Sequence, residues 1–185
     1  GSQSFFCNPA GLVFPKGAVS ASLAYESLLE GSYRTGVSFV RGLRSGALAA
    51  GFLYNNSSPG LDKFDASGNS LGRLTAYDSS AGAAFSLRFG RTDFGFAAKF
   101  IKSKLAEASG ASAALDAGFI FRESGKTRTE FSLAARNFGF PLKLGSERAP
   151  LPLEFGGGLK WSYKPGFDIL FEGRLPCDHS PYVIL

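Results

Sequence analysis

Along most of this chain apolar and polar residues alternate with a period of two. That is the repeat of an extended strand, whose successive side chains point to opposite faces. In residues 81–90, Ala81, Ala83, Phe85, Leu87 and Phe89 share one side, and Gly82, Ala84, Ser86, Arg88 and Gly90 the other. Phe94, Phe96, Ala98 and Phe100 then oppose Gly95, Ala97 and Lys99. In the next run Ala113, Leu115, Ala117, Phe119 and Phe121 oppose Ser112, Ala114, Asp116, Gly118 and Arg122, with Ile120 a large apolar intruder on the polar side. Phe131, Leu133 and Ala135 oppose Glu130, Ser132, Ala134 and Arg136; Phe155, Gly157, Leu159, Trp161 and Tyr163 oppose Glu154, Gly156, Gly158, Lys160 and Ser162. Phe167, Ile169 and Phe171 oppose Asp168, Leu170 and Glu172. The apolar side of these six runs carries no charge. Residues 18–26, 33–41 and 47–55 give fainter strands, because Gly and Ala lower strand propensity. Residues 182–185 open one more, for about ten in all.

The connections between these strands are expected to alternate in length. Tight links fall at 42–45, 90–93, 123–128 and 164–166; longer ones at 55–69, 103–110, 138–152 and 175–181. Such sorting predicts an all-β, antiparallel up-and-down barrel across an outer membrane, with short periplasmic turns and long outer loops. A soluble β-sandwich produces the same alternation and stands as the competing architecture. The polar side separates the two: it mixes charges with Gly, Ala and Ser, which suits a confined interior better than a solvated sheet face. Trp161, Tyr163, Phe89, Phe94 and Tyr54 lie near strand ends, where interface girdles are expected. Link 138–152 carries Phe138, Phe140, Leu142 and Leu144 among its charges. It is too apolar for a free loop and is expected to fold onto the barrel mouth or a partner.

Composition narrows the classes. With 185 residues the chain reads as a single domain over 1–185, residues 1–16 leading in and 17–185 forming the strands. There are 24 Gly and 19 Phe, no Met and 19% charged residues, yet mean hydropathy is only +0.03. Two populations of residues hide in that average. The net charge of +5 is scattered singly along strands and turns, with no basic run, which argues against nucleic acid as a partner. No stretch reaches the roughly 18–20 apolar residues of a membrane helix, so any crossing is made by strands. Gly1 and Ser2 read as a cloning remnant ahead of a mature N-terminus.

Candidate chemistry is sparse. The one histidine, His179, is flanked by Asp178 and Ser180; neighbours on an extended chain point opposite ways, so this trio is no catalytic triad by itself. The run Gly156, Gly157, Gly158 lacks the helix and Lys-Ser/Thr pair of a phosphate loop. The chain is expected to be no enzyme and to use no cofactor or metal. Cys7 and Cys177 stand at opposite ends, either as a disulfide of an oxidising periplasm or as two separate thiols. Arg88, Lys99, Asp116, Arg136, Lys160 and Glu172 are the candidate lumen-facing charges. They either line a permeation path or neutralise one another, pairing across the lumen being the cheaper arrangement.

Ahead of the first strand stand Phe5, Phe6, Cys7, Asn8, Pro9, Ala10, Gly11 and Leu12. Pro9 disfavours helical geometry at Asn8, so Asn8 reads as the side-chain cap of a tight turn or short helix. Asn8-Pro9-Ala10-Gly11-Leu12, the phenylalanine-laced strands, residues 98–105, Ala114-Leu115-Asp116-Ala117-Gly118, Ala135-Arg136-Asn137-Phe138-Gly139 and Leu151-Pro152 together resemble, in that order, the FadL superfamily of outer-membrane barrels. The likeness is strongest to its PorV-type branch. The resemblance implies a bacterial outer-membrane barrel of roughly 14 strands with an N-terminal plug at Asn8, Pro9, Ala10, Gly11 and Leu12. With about ten strand patterns, the chain then reads as an N-terminal portion of such a barrel or as a smaller relative. Two activities follow from the resemblance: uptake or binding of small, fatty-acid-like hydrophobic molecules, or a PorV-type scaffold in protein secretion holding a partner at the outer loops. A soluble β-sandwich binding module is the third reading.

Overall fold

A computed structural model describes residues 2–13, 15–58, 60, 62–123, 128–164, 166–177 and 180–184. Its strands are β1 (Val19–Ser27), β2 (Tyr33–Leu43), β3 (Gly46–Asn56), β4 (Asp62–Phe64), β5 (Ser70–Arg73), β6 (Ala76–Phe89), β7 (Thr92–Leu105), β8 (Ala108–Glu123), β9 (Arg128–Gly139), β10 (Leu142–Leu144), β11 (Glu147–Ala149), β12 (Glu154–Lys164), β13 (Phe167–Pro176) and β14 (Tyr182–Ile184). Ten of them form one sheet, in the order β1-β2-β3-β6-β7-β8-β9-β12-β13-β14, every pair antiparallel. The chain therefore runs up and down as its alternation predicts. The skipped strands are two small hairpins: β10–β11 inside link 138–152, and β4–β5 in the link from Asn56 to Ala76, which runs past the expected end at residue 69.

Two expectations are corrected. The sheet does not close into a barrel: among the described residues β1 pairs only with β2 and β14 only with β13. It is strongly curled nonetheless, since Ser22 of β1 and Arg174 of β13 border one cavity. Link 103–110 is not long either. β7 and β8 extend through it in register, Lys104 opposite Ser109 and Leu105 opposite Ala108, leaving Ala106 and Glu107 as a tight turn with Ala106 at φ 53°. Ser109, Gly110 and Ala111 are poor strand formers held extended by the neighbouring strand, so pairing overrides local propensity. Residues 124–127 and Pro165, in two of the short links, lie outside the described residues.

The two faces of the sheet differ in kind. On the outer face Phe39, Phe52, Phe85, Phe96, Phe131, Phe155 and Phe171 are all exposed. Among the described residues, charges on that face sit only at its ends: Arg41 and Glu123 at the short-turn end, Lys102 and Lys104 at the end that carries the long loops. Aromatic rows bound it. At the long-loop end Tyr25, Tyr33, Tyr54 and Tyr77 form a file across β1, β2, β3 and β6, with successive ring centroids 5.9, 6.2 and 5.7 Å apart. At the short-turn end Phe89 meets Phe94 at 6.3 Å, Phe94 meets Phe119 at 5.5 Å, and Trp161 meets Tyr163 at 5.7 Å. A sandwich would cover the phenylalanine face with a second sheet. The described residues form no such layer.

The core lies on the inner face. Helix α1 (Ser4–Cys7) and a 3-10 turn at Pro9–Leu12 pack there, burying Phe5 and Leu12 against Val40, Ala47, Ala49, Ala84 and Ala97 of β2, β3, β6 and β7. Small inner-face residues leave the room for it, and each fully buried Phe or Leu contributes roughly 1.5–3 kcal/mol.

Candidate functional site

Asn8 starts the 3-10 turn as its sequence predicts. Its Oδ1 accepts a hydrogen bond from the Ala10 amide at 3.0 Å, and Pro9 fills the first position, where a missing N–H costs nothing. Its Nδ2 donates to the Leu133 carbonyl of β9 at 3.1 Å, so one side chain both caps the turn and fastens it to the sheet. Two glycines make the seat. A β-carbon on Gly95 of β7 would overlap the backbone of Pro9 and Ala10, and one on Gly118 of β8 would overlap Asn8 Oδ1. Ile120, the apolar intruder on the polar side, faces this segment beside Gly11. At its start Ser2 Oγ meets Ser22 Oγ of β1, and further on Arg136 of β9 donates to the Phe6 carbonyl at 3.1 Å. Asn8, Pro9, Ala10, Gly11 and Leu12 thus form one unit on the inner face.

The six charges singled out in the sequence all lie on this face, and all are paired. Arg88 grips Asp93 through Nε and Nη2 at 2.8 and 3.1 Å, while Arg122 holds the same carboxylate from β8 and reaches Glu130 at 3.3 Å. Lys99 bonds Asp116 at 2.8 Å, Arg136 bonds Glu154, and Lys160 bonds Asp168 at 2.9 Å. Glu172 bonds Arg174 at 2.6 Å, and Arg174 lies 3.6 Å from Glu154. Pairing across the interior is corrected here. Partners sit on adjacent strands, or on one strand, because same-face neighbours in a sheet stand within about 5 Å of each other.

A β-bulge organises the middle of the face. Leu115 pairs with Phe138 and Ala117 with Ala135, so Arg136 and Asn137 together oppose Asp116. Asn137 has φ 60°, a left-handed conformation that Asn tolerates well. Its amide donates to Asp116 Oδ1 at 2.8 Å, its Oδ1 accepts from Lys99 Nζ at 2.7 Å, and its Nδ2 donates to the Pro152 carbonyl at 2.9 Å. One residue thereby joins the ion pair to the long link 138–152. That link folds back as its apolar content predicts: Leu142 is buried, and Ser112 Oγ donates to the Phe140 carbonyl at 2.6 Å.

Two clefts flank the N-terminal segment. One, of about 1020 Å³, runs along β9, β12 and β13, past Ser132, Gly156, Gly158 and Leu170. The other, of about 770 Å³, lies under the β10–β11 hairpin with Phe6, Leu53, Ile101, Leu142, Leu151 and Pro152 as apolar wall. Asp93, Arg122, Glu154 and Arg174 belong to the same charged face: the strand pattern places Arg122 and Glu154 there without singling them out and misses Asp93 and Arg174, and the pairing of all four depends on which strands become neighbours. Asn137 carried a signal, an Asn ahead of Phe-Gly inside a strand. Cys7 and Cys177 are both free and exposed. His179 and Asp178 lie outside the described residues. Among the described residues no helix is long and apolar enough to cross a membrane, and no three or more His, Cys, Asp or Glu are grouped so that they could hold a metal ion. No family model matches the chain, and a search of curated proteins finds no significant match.

Proposed function

We propose that this chain forms the wall and plug of a FadL-like outer-membrane barrel that binds or passes small hydrophobic molecules through the clefts beside its N-terminal segment. The observation that carries this reading is the contrast between the faces. A contiguous phenylalanine band larger than a few hundred Å² is costly in water and marks a surface meant to be covered. The 11 residues of β2, at roughly 3.3 Å each and tilted by about 40°, span about 25–30 Å, the height of an outer-membrane barrel's apolar band. Tyrosines at one end and Phe, Trp and Tyr at the other match the girdles of such a band. The charged side chains meanwhile face inward and neutralise one another, as an enclosed interior demands. In this reading residues 2–12, seated on the inner face, serve as the plug, with the apolar-walled clefts on either side.

Trp161 is the chain's only tryptophan and lies on the outer face near the short turns. Purified protein refolded with vesicles containing brominated lipids should therefore lose Trp161 emission, and most strongly with bromines near the headgroup end of the acyl chain. Emission unchanged by brominated lipid, from a protein that stays monomeric without detergent, would defeat the membrane reading.

A PorV-type secretion scaffold has one observation in its favour. Phe138 and Phe140 stand 68% and 77% exposed where link 138–152 leaves the sheet, a surface suited to a protein partner. A stoichiometric partner retained from native membranes, and lost in Phe138→Ser/Phe140→Ser, would favour it.

A further inference from the structure

The smaller cleft has an apolar wall, and its charge pattern narrows what it accepts. Six charged residues line it, contributed by β1, β2, β6, β7, β9 and β13: Glu26, Arg34, Asp78, Lys99, Arg136 and Arg174. Every cation among them is already engaged. Arg34 lies 3.5 Å from Glu26, Lys99 2.8 Å from Asp116, Arg136 against Glu154, and Arg174 2.6 Å from Glu172. Among the described residues, Asp78 alone in this lining has no ion-pair partner. It stands directly across from Asn55 in the β3–β6 register, and Asn55 Oδ1 is buried without a hydrogen bond while its Nδ2 donates to Ser57 Oγ. Asp78 is exposed at the mouth, whereas Asn55 Oδ1 has almost no accessible surface in this conformation. A turn of the Asn55 side chain brings this empty acceptor to a donor on a ligand, which recovers the free energy that the unmade bond costs.

We infer that this cleft binds amphiphiles whose polar end is a hydrogen-bond donor, a hydroxyl or an ammonium group, and that it discriminates against carboxylates. The donor sits between Asn55 Oδ1 and the Asp78 carboxylate at the long-loop mouth, and the apolar body lies along Leu53, Ile101 and Leu142. A carboxylate there would meet two acceptors and find each nearby cation neutralised. This inference rests on the proposed hydrophobic-molecule function but specifies the head group on its own evidence.

The test is equilibrium dialysis of three compounds with one apolar body, 4-phenylbutanol, 4-phenylbutylamine and 4-phenylbutyrate, at neutral pH against protein-bearing and protein-free vesicles. The alcohol and the amine should be retained about tenfold more tightly than the carboxylate, as expected for a charge-assisted or otherwise unsatisfied bond. Asp78→Asn should weaken the amine about tenfold and the alcohol far less; Asn55→Leu should weaken both. Retention of the carboxylate equal to or above that of the other two overturns the inference, as does retention of none by protein whose Trp161 is quenched by brominated lipid. Without quenching, the membrane reading fails, and the same dialysis in solution still decides the ligand class. The wild-type comparison stands even if a variant misfolds.

Discussion

Asp93 has no exposed surface, and its carboxylate is shared by two arginines from the strands on either side. Replacing it with Asn keeps the shape and removes the charge, leaving Arg88 and Arg122 facing each other over a buried amide. A fully buried pair broken this way costs about 3–5 kcal/mol. Because both arginines are a third or more exposed, water recovers part of that, and Asp93→Asn should destabilise by about 2 kcal/mol in urea unfolding. Lys160→Ala breaks the solvent-reached pair with Asp168 and should cost no more than about 0.5 kcal/mol. A reversed order of the two would mean that burial does not set the strength of these pairs. Two glycines give a second contrast. A methyl at Gly95 has no room while the N-terminal segment is seated, whereas one at Gly173 meets nothing within 4 Å. Gly95→Ala should therefore release the segment, raising hydrogen exchange at residues 4–12, and Gly173→Ala should leave that exchange at the wild-type rate. Equal exchange in both variants would show that the segment does not depend on its seat.

At the scale of strands and hairpins, the faces were legible in the sequence and the ends were not. The period of two assigns Phe85, Phe96, Phe119, Phe131 and Phe171 to one face because it depends only on local backbone geometry. It cannot see that β7 and β8 continue past Ser103, since Ser, Ala and Gly acquire strand geometry there from pairing. Nor can it see the bulge at Asn137 or the contacts of Asp93, which require knowing which strands are neighbours. The hairpins β4–β5 and β10–β11 are three or four residues per strand, too short for any period to register. The β4–β5 turn is built on Asp65, whose carboxylate accepts from Asn69 Nδ2 at 2.9 Å and from the Asn69 and Ser67 amides at 2.8 and 2.9 Å. The Asn69 side-chain bond, then the backbone bonds, hold its carboxyl below the ordinary 3.8. Its folded value is thus lower than its unfolded one, so its contribution is complete above the ordinary value and disappears as pH falls through the lowered one. Amide exchange in 62–73 should be level from neutral pH down to about 5 once corrected for intrinsic rates, then rise in stronger acid. Asp65→Asn should remove that acid step; an acid step persisting in the variant would place its origin elsewhere. For the outer face, Phe96→Arg inside the band should cost about 2–4 kcal/mol of folding free energy in lipid, and Phe89→Arg at its rim about 1 or less. Similar costs for the two would contradict a hydrocarbon band between the aromatic rows.

For the molecule as a whole, the curled sheet with two open edges sets a constraint that no single strand shows. β1 spans Val19–Ser27 and, among the described residues, is paired on one side only, so alternate N–H and C=O groups along its other edge have no sheet partner there. Water satisfies such groups, but in hydrocarbon each one left unpaired costs several kcal/mol. A handful of them would exceed the 5–15 kcal/mol by which folded domains are stable at all. If the phenylalanine band meets lipid, the free edge of β1 must therefore be paired with another strand in the inserted protein. Amides along 19–27 should then exchange as slowly in vesicles as those of the central strand β7, while in the open sheet those on the free edge exchange fast. Rapid exchange along β1 together with quenching of Trp161 would be incompatible with a closed wall, and would assign the phenylalanine band to the surface of a bilayer instead of its interior.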